Sequence, residues 1–243
     1  MLRDTIGLIA DDRSIEGLYI GYKEQDCSWC PIALFTWDGT DYCVQVTKIG
    51  FEILAKCPGL WWSLPKECET QGIYRGKRLP TMIHKRMPWG RNDQKQAFLF
   101  FDLEPERLDG FTFLSRSGGL TSVDPLDIAP KIKPDLNNLY TIHFSPSILL
   151  EASELTRQIS VGTTLEHQRE KNGSISILKD GIVIAYCHSY FSQLDFTNLN
   201  LEVVKNLDKQ NLSWRILVKA KITGENLYGG DRFKLWNQMK YSP

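Results

Sequence analysis

The chain has 243 residues, with 29 basic and 29 acidic side chains, 42% apolar residues and seven tryptophans. That balance excludes a histone-like polycation and a disordered chain, and it fits one large or two small globular domains. No apolar run reaches the roughly 18–20 residues that span a bilayer. The start Met1-Leu2-Arg3-Asp4, with further acids at Asp11 and Asp12, lacks the apolar core of a secretory leader. The expectation is a cytoplasmic protein without membrane contact.

Gly17–Tyr22 and Pro31–Trp37 are β-rich runs, and Asp38-Gly39 marks a hairpin turn into an alternating strand over Tyr42–Val46. Ile49–Lys56 predicts one or two helical turns that stop before Pro58-Gly59. Between 58 and 95, Pro58, Pro65, Pro80 and Pro88 with Gly59, Gly72, Gly76 and Gly90 predict loops and short elements. Gln96–Glu106 predicts a short helix, structure restarts over Asp109–Leu114, and Ser117-Gly118-Gly119 breaks it. The proline-rich segment 125–134 is expected to be a linker between domains at 1–124 and 135–243. Beyond it, Leu139–Phe144, Ile175–Leu178, Gly181–Tyr186, Leu199–Val204 and Trp214–Ile222 predict four or five strands at short spacing. Asn172-Gly173 and Asp180-Gly181 supply turns among them. Val218, Ala220 and Ile222 alternate with Lys219 and Lys221, giving one core face and one wet, basic face. The fold class expected is α+β, mainly β, in two small β-rich domains.

The six cysteines are expected to be free thiols in a reducing compartment. Cys27-Ser28-Trp29-Cys30 has the spacing of half a zinc site, but Cys57 and Cys68 do not form a second knuckle. A redox pair needs a helix behind it, and a strand follows here. Neither metal nor cofactor is expected. Cys187-His188, taken as neighbours on one strand, would point to opposite faces and is discounted as a reactive pair.

Two stretches carry family resemblances. Val161-Gly162-Thr163-Thr164-Leu165, then Ile175-Ser176-Ile177, then Gly181–Ser192 resemble a degenerate HIRAN domain, a small β-barrel of helicase-associated and stand-alone bacterial proteins. Tyr186, Tyr190 and Phe191 keep the family pattern, while Ala185 and His188 stand where a glycine and a proline are usual. Trp29–Leu34, Gly50–Leu54, Pro58-Gly59-Leu60 and Leu114–Gly119 followed by Asp124 resemble the β-rich lobe that opens HipA-type toxin kinases. The first resemblance implies binding of single-stranded DNA, including free 3′ ends. The family's Asn-x-x-Asp falls here on Gln168 and Lys171. A carboxylate accepts from a terminal 3′-hydroxyl, whereas a lysine attracts phosphate, so internal backbone contact is the expectation.

Independently of those families, residues 74–95 carry seven basic residues against one acid, a net +6. Arg75, Lys77, Arg78, Lys85, Arg86, Arg91 and Lys95 are interleaved with Tyr74, His84 and Trp89, which suits phosphate neutralisation and base stacking. The alternative is a solvated loop balanced by the acids from Asp102 to Asp109. In the second half, Arg169, Lys171, Lys179, Arg215, Lys219 and Lys221 with Tyr186, Tyr190 and Phe191 are candidates for one nucleic-acid surface, against a reading in which the aromatics are core. Nucleotide-binding loops, a nucleophile elbow and a zincin motif are all missing, so no enzyme activity is expected. The expected function is that of a non-enzymatic nucleic-acid-binding accessory protein, with a probable protein partner, in a defence, repair or mobile-element complex. The alternatives are a regulatory module of a HipA-like toxin–antitoxin system and a subunit of a nucleoprotein complex.

Overall fold

A computed structural model describes residues 15–23, 29–87, 94–103, 110–119, 125–207 and 215–228. Strands β1 (Ile15–Lys23), β2 (Trp29–Trp37) and β3 (Tyr42–Val46) lead to helix α1 (Lys48–Lys56), a 3₁₀ turn over Pro58–Ser63 and helix α2 (Lys66–Gln71). Strand β4 (Ile73–Gly76) and helices α3 (Thr81–His84), α4 (Gln94–Phe100) and α5 (Gly110–Ser117) follow. The second half contains β5 (Leu126–Ile132), β6 (Leu139–Phe144), β7 (Ser147–Ile148), α6 (Ser153–Arg157), β8 (Thr164–Arg169), β9 (Ile175–Lys179), β10 (Ile182–Tyr186), β11 (Asn198–Asn206) and β12 (Ile216–Thr223). The protein is mainly β, in two sheets.

The first sheet is antiparallel in the order β4-β3-β2-β1-β5. Its β2–β3 turn is built as Asp38-Gly39 demands: Gly39 takes φ 95°, and Asp38 Oδ1 accepts from the Thr40 and Asp41 amides at 3.0 and 2.8 Å. One face, with Leu18, Ile20, Ile32, Phe35 and Val44, is covered by the helices. Thr47 locks that layer down. Its Oγ1 caps α1 by accepting from Gly50 N at 2.7 Å and donates to the Pro31 carbonyl at 2.7 Å. A Cβ on Gly50 would lie 2.0 Å from the Ile32 carbonyl oxygen, so only glycine lets α1 approach β2 this closely.

The second sheet runs β6-β12-β11-β8-β9-β10-β7 and curls into a half-barrel. Strand β8 makes the bend. Its first two residues pair with Leu201 and Glu202 of β11, and Glu166–Arg169 pair with β9. Seven strands replace the four or five expected, because β8 and the short β7 lack the alternation that announces a strand. Three of the β8 residues are polar and exposed over Glu166–Gln168, which is loop-like in sequence.

The segment 125–134 is not a linker. Its residues Leu126–Ile132 are the edge strand of the first sheet, paired with β1 from Ile15↔Ile132 to Tyr22↔Leu126. Pro130 is tolerated because an edge strand has one side free of ladder bonds. The two sheets then share a core. Tyr19, Trp29, Ala129 and Ile132 on the second face of the first sheet are buried with Phe144, Tyr190, Leu201 and Val218 of the half-barrel. Tyr228 fastens the edge: its hydroxyl accepts from Ile132 N at 2.8 Å and donates to the Pro130 carbonyl at 3.2 Å. The helical layer is tied in separately by Lys205 on β11, which donates to Asp102 Oδ1 at 2.9 Å and holds that carboxyl below its ordinary range. Asp102 therefore pairs with the half-barrel and not with the basic stretch 74–95; residues 104–109 lie outside the described residues. No helix among the described residues is long and apolar enough to cross a membrane.

Replacing Gly50 with alanine forces a methyl group onto a backbone carbonyl that the β2–β3 pairing holds in place. The expected cost is about 1–3 kcal/mol, the usual scale of overpacking, read as a lowered urea midpoint with α1 helicity reduced. An unchanged midpoint would show that α1 shifts freely over β2.

Candidate binding cleft between the sheets

The β8–β9 hairpin tip and the Lys23 end of β1 border one cleft. The hairpin turn is fixed by Asn172, whose Oδ1 accepts from Ser174 N at 3.0 Å and Ser174 Oγ at 2.7 Å, and by Gly173 at φ 83°. Glu170 Oε1 accepts from Ser176 Oγ at 2.7 Å, which turns this carboxylate back along the hairpin. Arg169 donates to the Ser192 carbonyl at 3.2 Å and stands 5.0 Å from the centre of the Phe196 ring. Lys171, at the tip, is exposed.

Across from this hairpin stand Lys23, the last residue of β1, and Asp127 on β5. Between them lies an open cleft of about 1020 Å³, lined by Lys23, Asp127, Arg169, Glu170, Lys171, Tyr186 and His188 with serine, asparagine and glutamine residues. Asp127 accepts from the Trp29 indole Nε1 at 2.5 Å. Burial raises its carboxyl from 3.8 to about 6, with the Trp29 hydrogen bond and the nearby cations Lys23 and Arg86 working against that rise.

Cys187 and His188 directly follow β10, which ends at Tyr186, and both residues border the cleft. Cys187 is 6% exposed in the core of the half-barrel, whereas the His188 ring lies against Gly118 and Phe144. The pair is still unsuited to nucleophilic chemistry: burial pushes the Cys187 thiol far above its ordinary value, so no thiolate forms at neutral pH. Burial also lowers the His188 ring to about 4, against a hydrogen bond to the Ser145 backbone, and its Nε2 is buried without a hydrogen-bond partner. The ring is neutral at pH 7 and stands 6.0 Å from that of Phe144. Gly118, at φ 72°, leaves it room, since a Cβ there would lie 2.7 Å from His188 Cε1.

Of the residues expected on a nucleic-acid surface, Arg169, Lys171 and Tyr186 come together in this cleft. Tyr190 does not: it is 2% exposed, with its ring 5.6 Å from that of Trp29. Lys219 and Lys221 sit on β12 beside Glu202 and Asn200 of β11, outside the cleft. Arg215 is 3% exposed and donates to Ser153 Oγ at 2.7 Å and to the Ser153 carbonyl at 2.8 Å, a structural clamp on α6.

The basic stretch 74–95 is dispersed by the fold. Arg75 is paired with Asp38 at 3.2 Å, across the β3–β4 edge. Arg86 is 7% exposed and donates to the Met82 and Leu126 carbonyls at 2.9 and 3.4 Å, tying α3 to β5. Its burial follows from its place one turn beyond Met82 on the inner side of α3. Lys77 is exposed, Arg78 and Lys85 line a second groove, and Trp89 and Arg91 lie outside the described residues. The described cysteines Cys30, Cys43, Cys57, Cys68 and Cys187 are free thiols, and Cys27 lies outside the described residues. Among the described residues no group of three or more His, Cys, Asp or Glu side chains is placed to hold a metal.

Lys23, Asp127 and the exposed Trp62 escape the sequence reading. Asp127 lay inside the expected linker, and Lys23 is one cation without neighbours of its kind. Trp62 had a signal in the doublet Trp61-Trp62, since two adjacent large rings in a tight turn cannot both face one core. Comparison with family models, with curated proteins and with solved structures finds no match to the chain, and the two family resemblances rest on the motifs quoted above.

The two half-buried titratable groups of the cleft act on stability with opposite signs. Asp127, raised to about 6, favours the fold most when protonated, and that contribution is lost as pH rises from about 4 to 6. His188, lowered to about 4, favours the fold when neutral, and that contribution is lost as pH falls from about 6.5 to 4. Denaturation midpoints across this window are expected to fall more steeply on acidification in Asp127→Asn than in the parent, and less steeply in His188→Asn. Parallel curves for all three proteins would show that neither side chain is titrating as buried.

Proposed function

We propose that the protein is a non-enzymatic accessory protein that binds single-stranded nucleic acid in the cleft between its two sheets, within a defence, repair or mobile-element complex. The observation that carries this reading is the convergence of Lys23, Arg169, Lys171 and Tyr186 on one polar cavity. Lys23, Arg169 and Lys171 outnumber the carboxylates Asp127 and Glu170, the latter held by Ser176, and Tyr186, 36% exposed at the cleft wall, supplies an aromatic ring for stacking on a base. Stacking of that kind is worth on the order of 1–3 kcal/mol per base and tolerates any sequence. Serine, asparagine and glutamine side chains around it supply neutral donors and acceptors for sugar and base edges. The HIRAN resemblance points to the same ligand class, and Lys171, standing where that family places a carboxylate, favours phosphate contact along the strand over capture of a 3′-hydroxyl. A rigid duplex would meet the projecting hairpin, so single strands are the preferred form.

Fluorescence anisotropy tests this with a labelled single strand bearing a free 3′ end, the same strand with that end blocked, and a duplex. Binding is expected to prefer single strands, to ignore the blocked end and to weaken with salt. Lys23→Glu and Lys171→Glu should each reduce affinity and lower the salt dependence by about one phosphate contact. Lys219→Glu, outside the cleft, should leave both unchanged. Absence of binding to every oligonucleotide at low salt would overturn the proposal.

A further inference from the structure

A second groove, remote in composition from the cleft, lies between the 3₁₀ turn at Pro58–Ser63, α2 and α3. Its volume is about 990 Å³. The floor is aliphatic, formed by Leu60, Leu64 and Met82, each only 6–8% exposed. Pro65, Pro80 and Pro125 form stiff walls, with Pro65 and Pro80 capping α2 and α3. Lys66, Arg78 and Lys85 stand on the rim against one acid, Glu67. At the edge is Trp62, 94% exposed, while its neighbour Trp61 is turned inward with its ring 5.9 Å from that of Phe51.

We infer that this groove docks an acidic linear segment of a partner protein, seating a bulky apolar side chain on the aliphatic floor beside Trp62 and pairing its carboxylates with Lys66, Arg78 and Lys85. Three features select that occupant. The rim is cationic by charge, so a complementary ligand is anionic. The floor, in contrast with the polar cleft between the sheets, is hydrocarbon and takes an apolar side chain, with the hydroxyl-bearing Ser63, Tyr74 and Thr81 also in the lining. An exposed tryptophan with arginine nearby has the composition of an interface hot spot. The groove is also pre-shaped, because the Tyr74 hydroxyl already donates to the Arg78 carbonyl at 2.6 Å and closes the turn that carries Arg78. A preformed site loses little conformational entropy on binding, which suits recognition of a short segment. This inference does not depend on nucleic-acid binding in the cleft.

The test uses the full chain and three short fluorescein-labelled peptides: one alternating Glu and Asp with Leu and Phe, one with Leu and Phe replaced by Ser, and one with the acids replaced by Lys. The first should bind saturably at low salt, and the other two should bind at least about tenfold more weakly, the scale set by loss of a hot-spot side chain or its charge complement. Trp62→Ala and the double variant Arg78→Glu/Lys85→Glu should each weaken the first peptide by about tenfold or more. Trp62→Ala should keep its melting temperature, since the ring contributes little to the core. Lys171→Glu should bind the peptide as the parent does. The inference is overturned if no peptide binds, if the Ser peptide binds equally well, if Trp62→Ala leaves binding intact, or if an oligonucleotide displaces the peptide and loses its own binding in Trp62→Ala.

Discussion

Trp29 stands at the one place where both sheets and the cleft meet. Its ring is fully buried, edge-on to Tyr19 at 6.5 Å and to Tyr190 at 5.6 Å, so it belongs at once to the first sheet and to the core of the half-barrel. Its indole nitrogen cannot go unpaired at that depth, and Asp127 answers it. That bond holds a carboxylate at the cleft wall, where desolvation raises Asp127 to about 6 against the lowering effect of the bond itself. Gly21 is the complement of the same ring. A Cβ there would lie 2.1 Å from the indole, so β1 must carry glycine for the tryptophan to lie flat across it. Packing, polar satisfaction and the chemistry of the cleft thus follow from one side chain.

The half-barrel supplies the other wall because β8 divides its pairing between β11 and β9. A strand that serves two partners at its two ends must bend, and the bend lifts the 169–174 hairpin away from the sheet and over the end of β1. The cations of the cleft are therefore brought together by curvature. Lys23 and Lys171 are separated by most of the chain, yet they face each other because β1 ends where the hairpin begins. The aliphatic groove beside Trp62 arises differently, from short helices whose prolines end one element and start the next. The two sites differ in character for that reason: strand ends expose polar side chains and turns, while stacked helical turns leave hydrocarbon between them.

Much of the fold was legible locally. β1 to β3, α1, β6, β9, β10, β11 and β12 match their expected runs, since alternation and Asp-Gly or Asn-Gly turns act within a few residues. Strand β5 was hidden by its prolines, because a rule about central strands does not hold at an edge. β8 was hidden by its exposed polar residues. Of the candidate site, Arg169, Lys171 and Tyr186 were legible as basic and aromatic residues near a turn, but Tyr190 and Arg86 were misplaced. A tyrosine or an arginine has the same composition whether its stem is buried or exposed, and only its neighbours decide.

The sequence by itself determined that the chain folds around a β-rich core, where its tight turns lie, and that its cations cluster along the chain between 74 and 95. Those properties depend on side-chain period, glycine and proline geometry and charge count, all of them local. The tertiary structure alone decided which cations are clamps and which are free to meet a ligand. Arg86 and Arg215 became internal ties because the fold buries them, where they donate to the Met82 and Leu126 carbonyls and to Ser153. Lys23 and Lys171 became neighbours because two sheets share one aromatic core, and burial of that core is a long-range event that no window of sequence contains.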